Sequence, residues 1–258
     1  MKHFTAYLLL VLASVVFVTL TSAPAYAVDG VVLINQNTSV SGLPGCGSTG
    51  FPIVICNPGS YRLSSNLIVP DSNTDAIVIT VDNVAVDLNG FSIIGPNDCT
   101  AANPGRTDLD AVASCSANGT GRGIVGIFPG HFIGRFLRNI SVTNGTVTGM
   151  GSHGIFIGKS RIENMQITSN GGNGIQVTPG AVITHNVIAQ NLGNGIVTEG
   201  YSIIVGNTVS QNGGWGFQSG LFPTTTDGLA NNTFDFNGLG PISGGTQTGG
   251  NVCTSHTC

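Results

Sequence analysis

Apolar positions along this chain keep two rhythms at once. Within short runs they alternate with polar residues, and through the C-terminal half whole runs recur at a fixed step. Gly154-Ile155, Gly174-Ile175, Gly195-Ile196 and Gly216-Phe217 follow one another at 20 or 21 residues, and Pro241-Ile242 takes the same place after a longer loop. Other columns keep step. Counted back from Asn170, Asn191, Asn212 and Asn237, the third residue reads Ile167, Ile188, Val209, Phe234, and the eighth reads Ile162, Ile183, Ile204, Leu229. A period in the twenties means stacked units, none of which can bury its apolar face alone.

The short rhythm predicts strands. Ala76 to Val81 and Asn83 to Gly90 alternate with period two in β-branched residues and end in turn chemistry. Phe91 to Ile94 adds another strand before Gly95-Pro96 stops it. Residues 97–121 break the pattern and predict a loop inserted into the stack, bracketed by Cys99 and Cys115. Coils resume at Ile124 and continue to about Ile242, and a Gly- and Thr-rich tail over 243–258 closes the chain. Ahead of them, residues 28–60 are irregular apart from Val31 to Ile34. They predict a cap that shields the first coil, since an uncovered terminal coil exposes apolar core and unpaired strand edge.

Helical signals are almost absent, because Lys and Glu are scarce and no long stretch holds apolar residues at 3.6 spacing. A leucine-rich repeat would need a Leu-dominated consensus and a helical return, whereas these coils are Ile, Val, Gly, Asn and Thr. A left-handed β-helix follows a hexapeptide rhythm, which a 21-residue step does not match. The fold expected is all-β, a right-handed parallel β-helix over 61–242 with coils of about 21 residues. The columns of Ile155 and Ile162 then face inward, and the Asn column forms a ladder at a turn, where Asn tolerates left-handed backbone.

The run Gly59 to Leu63, then Ala76 to Ile79 and Asn83 to Gly90, resembles the opening coils of bacterial pectate-lyase-like β-helix proteins. The later Ile-x-x-x-x-Ile-x-x-Asn-x-x-x-Gly-Ile units resemble the repeat found throughout that superfamily. The resemblance covers most of the chain beyond residue 27 and is specific for fold. It implies little about activity, since the fold hosts lyases, hydrolases, epimerases and adhesins.

The first 27 residues stand apart from the fold. Lys2 and His3 precede an apolar stretch, Tyr7 to Leu20, and Ala25-Tyr26-Ala27 places small residues at the two cleavage-defining positions. This predicts a secretory signal cleaved after Ala27, a secreted or periplasmic protein, and no transmembrane segment after cleavage. The remainder carries seven Lys+Arg against twelve Asp+Glu. That balance, without a basic run, argues against nucleic acid as partner. All six cysteines lie beyond residue 27, which in an oxidising compartment points to disulfides. Their clustering favours the local pairs Cys46–Cys56, Cys99–Cys115 and Cys253–Cys258.

Candidate chemistry starts at Gly151-Ser152-His153-Gly154, similar to the Gly-His-Gly segment of polygalacturonases. The carboxylates that accompany it there are missing here. Residues 126–134 read Gly-Ile-Phe-Pro-Gly-His-Phe-Ile-Gly where an Asp pair is expected, and Gly195 to Glu199 stands where an Arg-Ile-Lys is expected. Glycoside hydrolysis needs two carboxyl groups across the scissile bond. A lyase mechanism needs a base and a calcium ion held by several acidic oxygens. Asp108-Leu109-Asp110 is the close acidic pair of the inserted loop. His153, Asp108 and Asp110 are therefore the weak catalytic candidates, and the closely set His and Asp of epimerases are missing. No metal site or cofactor is expected, calcium being the ion that a lyase site on the loop would bring.

A binding face is the stronger lead. Outward positions beside the Ile155 column are Phe156, Gln176, Val197 and Gln218, with Glu199 and Trp215 near them, and Lys159 and Tyr201 within a few residues. Coils ~4.8 Å apart would rule such a face into steps that suit an extended glycan. Phe156, Gln176, Glu199, Trp215 and Gln218 are the candidate substrate-binding residues. The expected function is a non-catalytic or degenerate protein that interacts with an extracellular or cell-envelope polysaccharide. The alternatives are a polysaccharide lyase or glycoside hydrolase with an unfamiliar site, and a structural or adhesive surface protein.

Overall fold

A computed structural model describes residues 30–101, 111–126, 136–220, 226–254 and 258. Residues Val32–Cys258 form one compact unit, a parallel β-helix of eight coils with three faces. One face is an eight-stranded parallel sheet, here sheet B, running from Ile53–Ile55 through Ile155–Ile157, Ile175–Val177 and Ile196–Thr198 to Gly240–Ser243. The other two faces belong to a second sheet folded along its length. Its long strands Ile140–Thr148 and Ser160–Thr168 bend at Asn144 and Asn164, whose φ values are 62° and 55°. The coils wind right-handed, the hand that parallel crossovers take in nearly all proteins.

The inward columns are those expected. Ile155, Ile175, Ile196 and Phe217 pair in register on sheet B and are all 0% exposed. Ile162, Ile183, Ile204 and Leu229 do the same on the second face, and Ile167, Ile188, Val209 and Phe234 on the third. Burying each such side chain contributes roughly 1.5–3 kcal/mol, and its neighbours above and below are its own equivalents in the adjoining coils.

The glycine before each inward Ile has a steric cause. A Cβ built on Gly174 would lie 2.8 Å from Gly195 O and 2.9 Å from Asn191 Nδ2. The same pair of contacts faces Gly154, at 2.8 Å from Gly174 O and 2.9 Å from Asn170 Nδ2. Glycine is kept here to let the next coil close on the Asn column.

That column is a ladder. Asn170 Nδ2 donates to Asn191 Oδ1 at 2.8 Å, Asn191 to Asn212 at 2.9 Å, and Asn212 to Asn237 at 2.9 Å. Left-handed backbone does not sit on these asparagines but on the residue before each: Ser169, Gln190, Gln211 and Phe236. The asparagine is left buried, its amide spanning to the next coil. A second ladder runs one bend earlier through Asn186, Asn207, Asn232 and Asn251, with steps of 2.9, 3.0 and 3.0 Å.

The stack extends beyond 61–242 at both ends. Ile53–Ile55 already pairs with Ile77–Ile79, the four-residue helix Thr38–Ser41 lies ahead of it, and the Cys46–Cys56 disulfide brackets it. At the other end Thr246–Gly249 pairs with Gly228–Ala230, and Val252–Cys253 with Thr233–Phe234. Thr246–Gly249 is exposed at every position, so backbone pairing forms it without any apolar alternation to announce it. Within the inserted segment, Cys99–Ala101 pairs antiparallel with Val112–Cys115, and the Cys99–Cys115 disulfide ties the two strands. Cys253–Cys258 completes the three local pairs.

Candidate functional site

Sheet B brings most of the candidate residues onto one outer face. Phe156, Gln176, Val197 and Gln218 stand in a single row, paired coil to coil. Three residues upstream in each coil a second row reads Asp75, Arg122, His153, Asn173, Asn194, Trp215. Two residues downstream of Val197 lies Glu199, whose carboxyl is held above the usual carboxylate range by burial. All five candidate binding residues are half-buried. Lys159 and Tyr201 do not share this face. They lie past the turn that leaves sheet B and enter the second sheet, because each coil changes direction within a few residues of its inward Ile.

The amides are fixed by one another. Asn173 Nδ2 donates to Gln176 Oε1 at 2.9 Å, and Asn194 Nδ2 donates to Gln218 Oε1 at 2.8 Å. The Asn oxygens work along the row: Asn173 Oδ1 accepts Asn194 N–H at 2.8 Å, and Asn194 Oδ1 accepts Trp215 N–H at 2.6 Å. The two glutamine side chains are thereby held across the face with their Nε2 groups as the remaining donors. At the far end the Trp215 ring lies over Gly240, where a Cβ would come within 2.7 Å of it.

His153 belongs to the same row. Its Nδ1 accepts Asn173 N–H at 2.9 Å, which assigns the proton of the neutral ring to Nε2. Burial, and then the charge of Arg122, hold its pKa below the ordinary histidine value. The ring centroid lies 5.8 Å from that of Phe156, and Arg122 sits 5.6 Å over the Phe156 ring. The carboxylate of this row, Asp75, is two coils from His153 and is engaged twice by Arg122, at 3.0 Å through Nε and 2.9 Å through Nη2. Among the described residues, the His153 lone pair is therefore occupied and the carboxylate of its row is held in an ion pair. Asp108 and Asp110, the other catalytic candidates, lie outside the described residues. Among the described residues no three His, Cys, Asp or Glu side chains converge as a metal site.

Sequence reasoning missed one buried carboxylate. Asp227 is 0% exposed and accepts hydrogen bonds from Thr198 Oγ1 at 2.6 Å, Ser219 Oγ at 2.6 Å and Ser202 N–H at 2.8 Å. With three donors it is satisfied as an anchor at the end of the long step from Ser202, and it presents nothing to solvent. Its column reads Ser160, Ala181, Ser202, Asp227, and that mixture of small residues gave no signal.

Among solved structures, a double mutant of the periplasmic alginate epimerase AlgG is similar at 14% identity, over 84% of this chain and 81% of that one, with a TM-score of 0.38. No curated protein matches the chain. No helix among the described residues is long and apolar enough to cross a membrane. Residues 70–239 match the right-handed β-helix region family, most of the stack just described, and the chain belongs to that family.

Proposed function

We propose that this is an exported β-helix protein that engages an extended polysaccharide on the outer face of sheet B without cleaving it. The observation that carries the reading is the row Phe156, Gln176, Val197, Gln218, whose two glutamines are pre-set by Asn173 and Asn194. Donors on alternate coils, about twice the ~4.8 Å coil spacing apart with Val197 between them and aromatic rings at either end, suit the alternating hydroxyls and apolar faces of a sugar chain. Donors already fixed by their neighbours lose little side-chain entropy on binding. Export is supported by the Tyr7 to Leu20 stretch ahead of Ala25 and Ala27, and by three disulfides, which persist in oxidising compartments.

The test is a glycan array probed with the purified protein and with Gln176→Ala/Gln218→Ala, alongside N-terminal sequencing of exported material. Binding to a polysaccharide that falls about tenfold or more in the double variant supports the reading. Binding to no glycan would leave a structural or adhesive protein. An N-terminus ahead of Tyr7 would overturn cleavage after Ala27, and absence of the protein from exported fractions would overturn the export assignment.

A further inference from the structure

Where the chain leaves sheet B and turns into the second sheet, three cations gather on adjacent coils. Arg138 and Lys159 lie just before the paired strands Ile140–Thr148 and Ser160–Thr168, and Arg161 projects from the second of them, in register with Ser141 and Val182. Together they line a groove of about 440 Å³. Arg138 and Lys159 also border an adjoining hollow of about 210 Å³ beside Phe136 and Pro179.

These charges are not consumed inside the protein. Arg62 pairs with Asp87 at 3.1 Å and Arg122 with Asp75 at 2.9 Å, but neither Arg138 nor Lys159 has an ion pair among the described residues. Arg161 has a 3.6 Å contact with Glu163 and keeps 62% of its side chain exposed, geometry that contributes little. The carboxylate near Arg138, that of Asp82, accepts the backbone N–H of Arg138 at 2.8 Å. The chain carries only eight Lys+Arg and a net charge of −4, so three of the eight around one groove make it a local positive site on an acidic protein.

The surface beyond the groove narrows the ligand. Two coils beyond Arg161, Tyr201 is 65% exposed, and Ile203, in register with Val182, is 53% exposed. A cationic groove continued by an aromatic platform, in steps of ~4.8 Å, matches a polymer that alternates anionic groups with sugar faces. Duplex DNA fits worse, because its dense charge would meet the acidic remainder of the surface.

We propose that the groove of Arg138, Lys159 and Arg161 binds the anionic groups of an acidic glycan, at a subsite separate from the outer face of sheet B. It rests on the reading of this protein as a glycan binder and adds the class of sugar.

The experiment is calorimetric titration of the purified protein with an oligogalacturonate, a sulfated heparin oligosaccharide, a neutral cello-oligosaccharide and a short DNA duplex. At least one acidic oligosaccharide should bind, more weakly as salt rises from about 50 to 200 mM. Arg138→Gln/Lys159→Gln should weaken that binding about tenfold or more with an unchanged melting temperature, and Arg138→Lys/Lys159→Arg should restore most of it. Gln176→Ala/Gln218→Ala should leave a binding component that still depends on Arg138 and Lys159. Carboxylate and sulfate as the recognised group are separated by which of the two probes binds. Unchanged acidic binding in the Gln variant, or tighter binding of the duplex, overturns the proposal. Binding of the neutral probe alone overturns it while leaving the sheet B reading intact, and binding of no glycan overturns both.

Discussion

The Nδ1 atom of His153 accepts the backbone N–H of Asn173 at 2.9 Å, and one coil on, Asn173 Oδ1 accepts the N–H of Asn194 at 2.8 Å. The two side chains perform the same task in successive coils. His153→Asn should therefore keep the bond, with a melting temperature within a degree or two of the parent. His153→Ala strands the Asn173 N–H and should cost about 1–2 kcal/mol. Neither parent nor variant should generate unsaturated ends or reducing sugar from polygalacturonate or alginate, with or without calcium. Turnover in the parent that vanishes in a folded His153→Asn would restore a catalytic histidine.

Burial alternates sharply at the third bend. Ile188 is 0% exposed, whereas Gln190, two residues on, is exposed with φ of 56°. Ile188→Asp places a carboxylate against Ile167 and Val209 and should cost several kcal/mol, enough to unfold the stack. Gln190→Asp should change stability by under ~0.5 kcal/mol, since Asp tolerates left-handed backbone. Equal shifts of the two melting curves would put the register in error.

Two glycines separate steric need from convenience. Gly174 faces Gly195 O and Asn191 Nδ2 at 2.8 and 2.9 Å from a built Cβ, while Gly228 has nothing within 4 Å. Gly174→Ala must push adjoining coils apart and should cost about 1–3 kcal/mol, as overpacking does. Gly228→Ala should be neutral or slightly stabilising, by the entropy it removes from the unfolded chain. Chemical denaturation of both variants checks the contrast. A tolerated Gly174→Ala would show that the close approach of Ile188, Gly195 and Asn191 to this glycine does not set the coil spacing.

These pairs mark what the sequence could disclose. Ile155, Ile175 and Ile196 were legible because a solenoid core repeats one contact at one step, so each position carries the same constraint. The first Asn ladder was legible for the same reason. The second was not, because Met165 stands in its first slot and Asn251 follows the Gly- and Thr-rich run 243–250. The groove of Arg138, Lys159 and Arg161 left no trace in either rhythm, since its members occupy different columns and meet only because the turn rotates them together. Sheet B was partly legible: its row could be counted out, but the bonds from Asn173 to Gln176 and from Asn194 to Gln218 depend on rotamers that no spacing encodes.

Acidity should act on two residues in opposite directions. Burial and Arg122 depress the His153 pKa, so the unfolded chain binds the proton more readily. Stability contributed by the neutral ring is complete above ~6.5 and is lost as pH falls below it. Asp235 is the reverse case. Its Oδ1 is buried without a hydrogen-bond partner, and burial raises its pKa against the smaller opposing effect of the Phe236 backbone N–H. Ionised Asp235 therefore weakens the fold at neutral pH, and that penalty fades as pH falls toward ~3.8. Measured against the parent, His153→Asn should gain melting temperature between about pH 7.5 and 5. Asp235→Asn should be more stable than the parent at pH 7 and lose that advantage towards pH 4. A His153→Asn difference that stays flat with pH would mean that His153 titrates as it does in the unfolded chain, and that Arg122 and burial exert no hold on it.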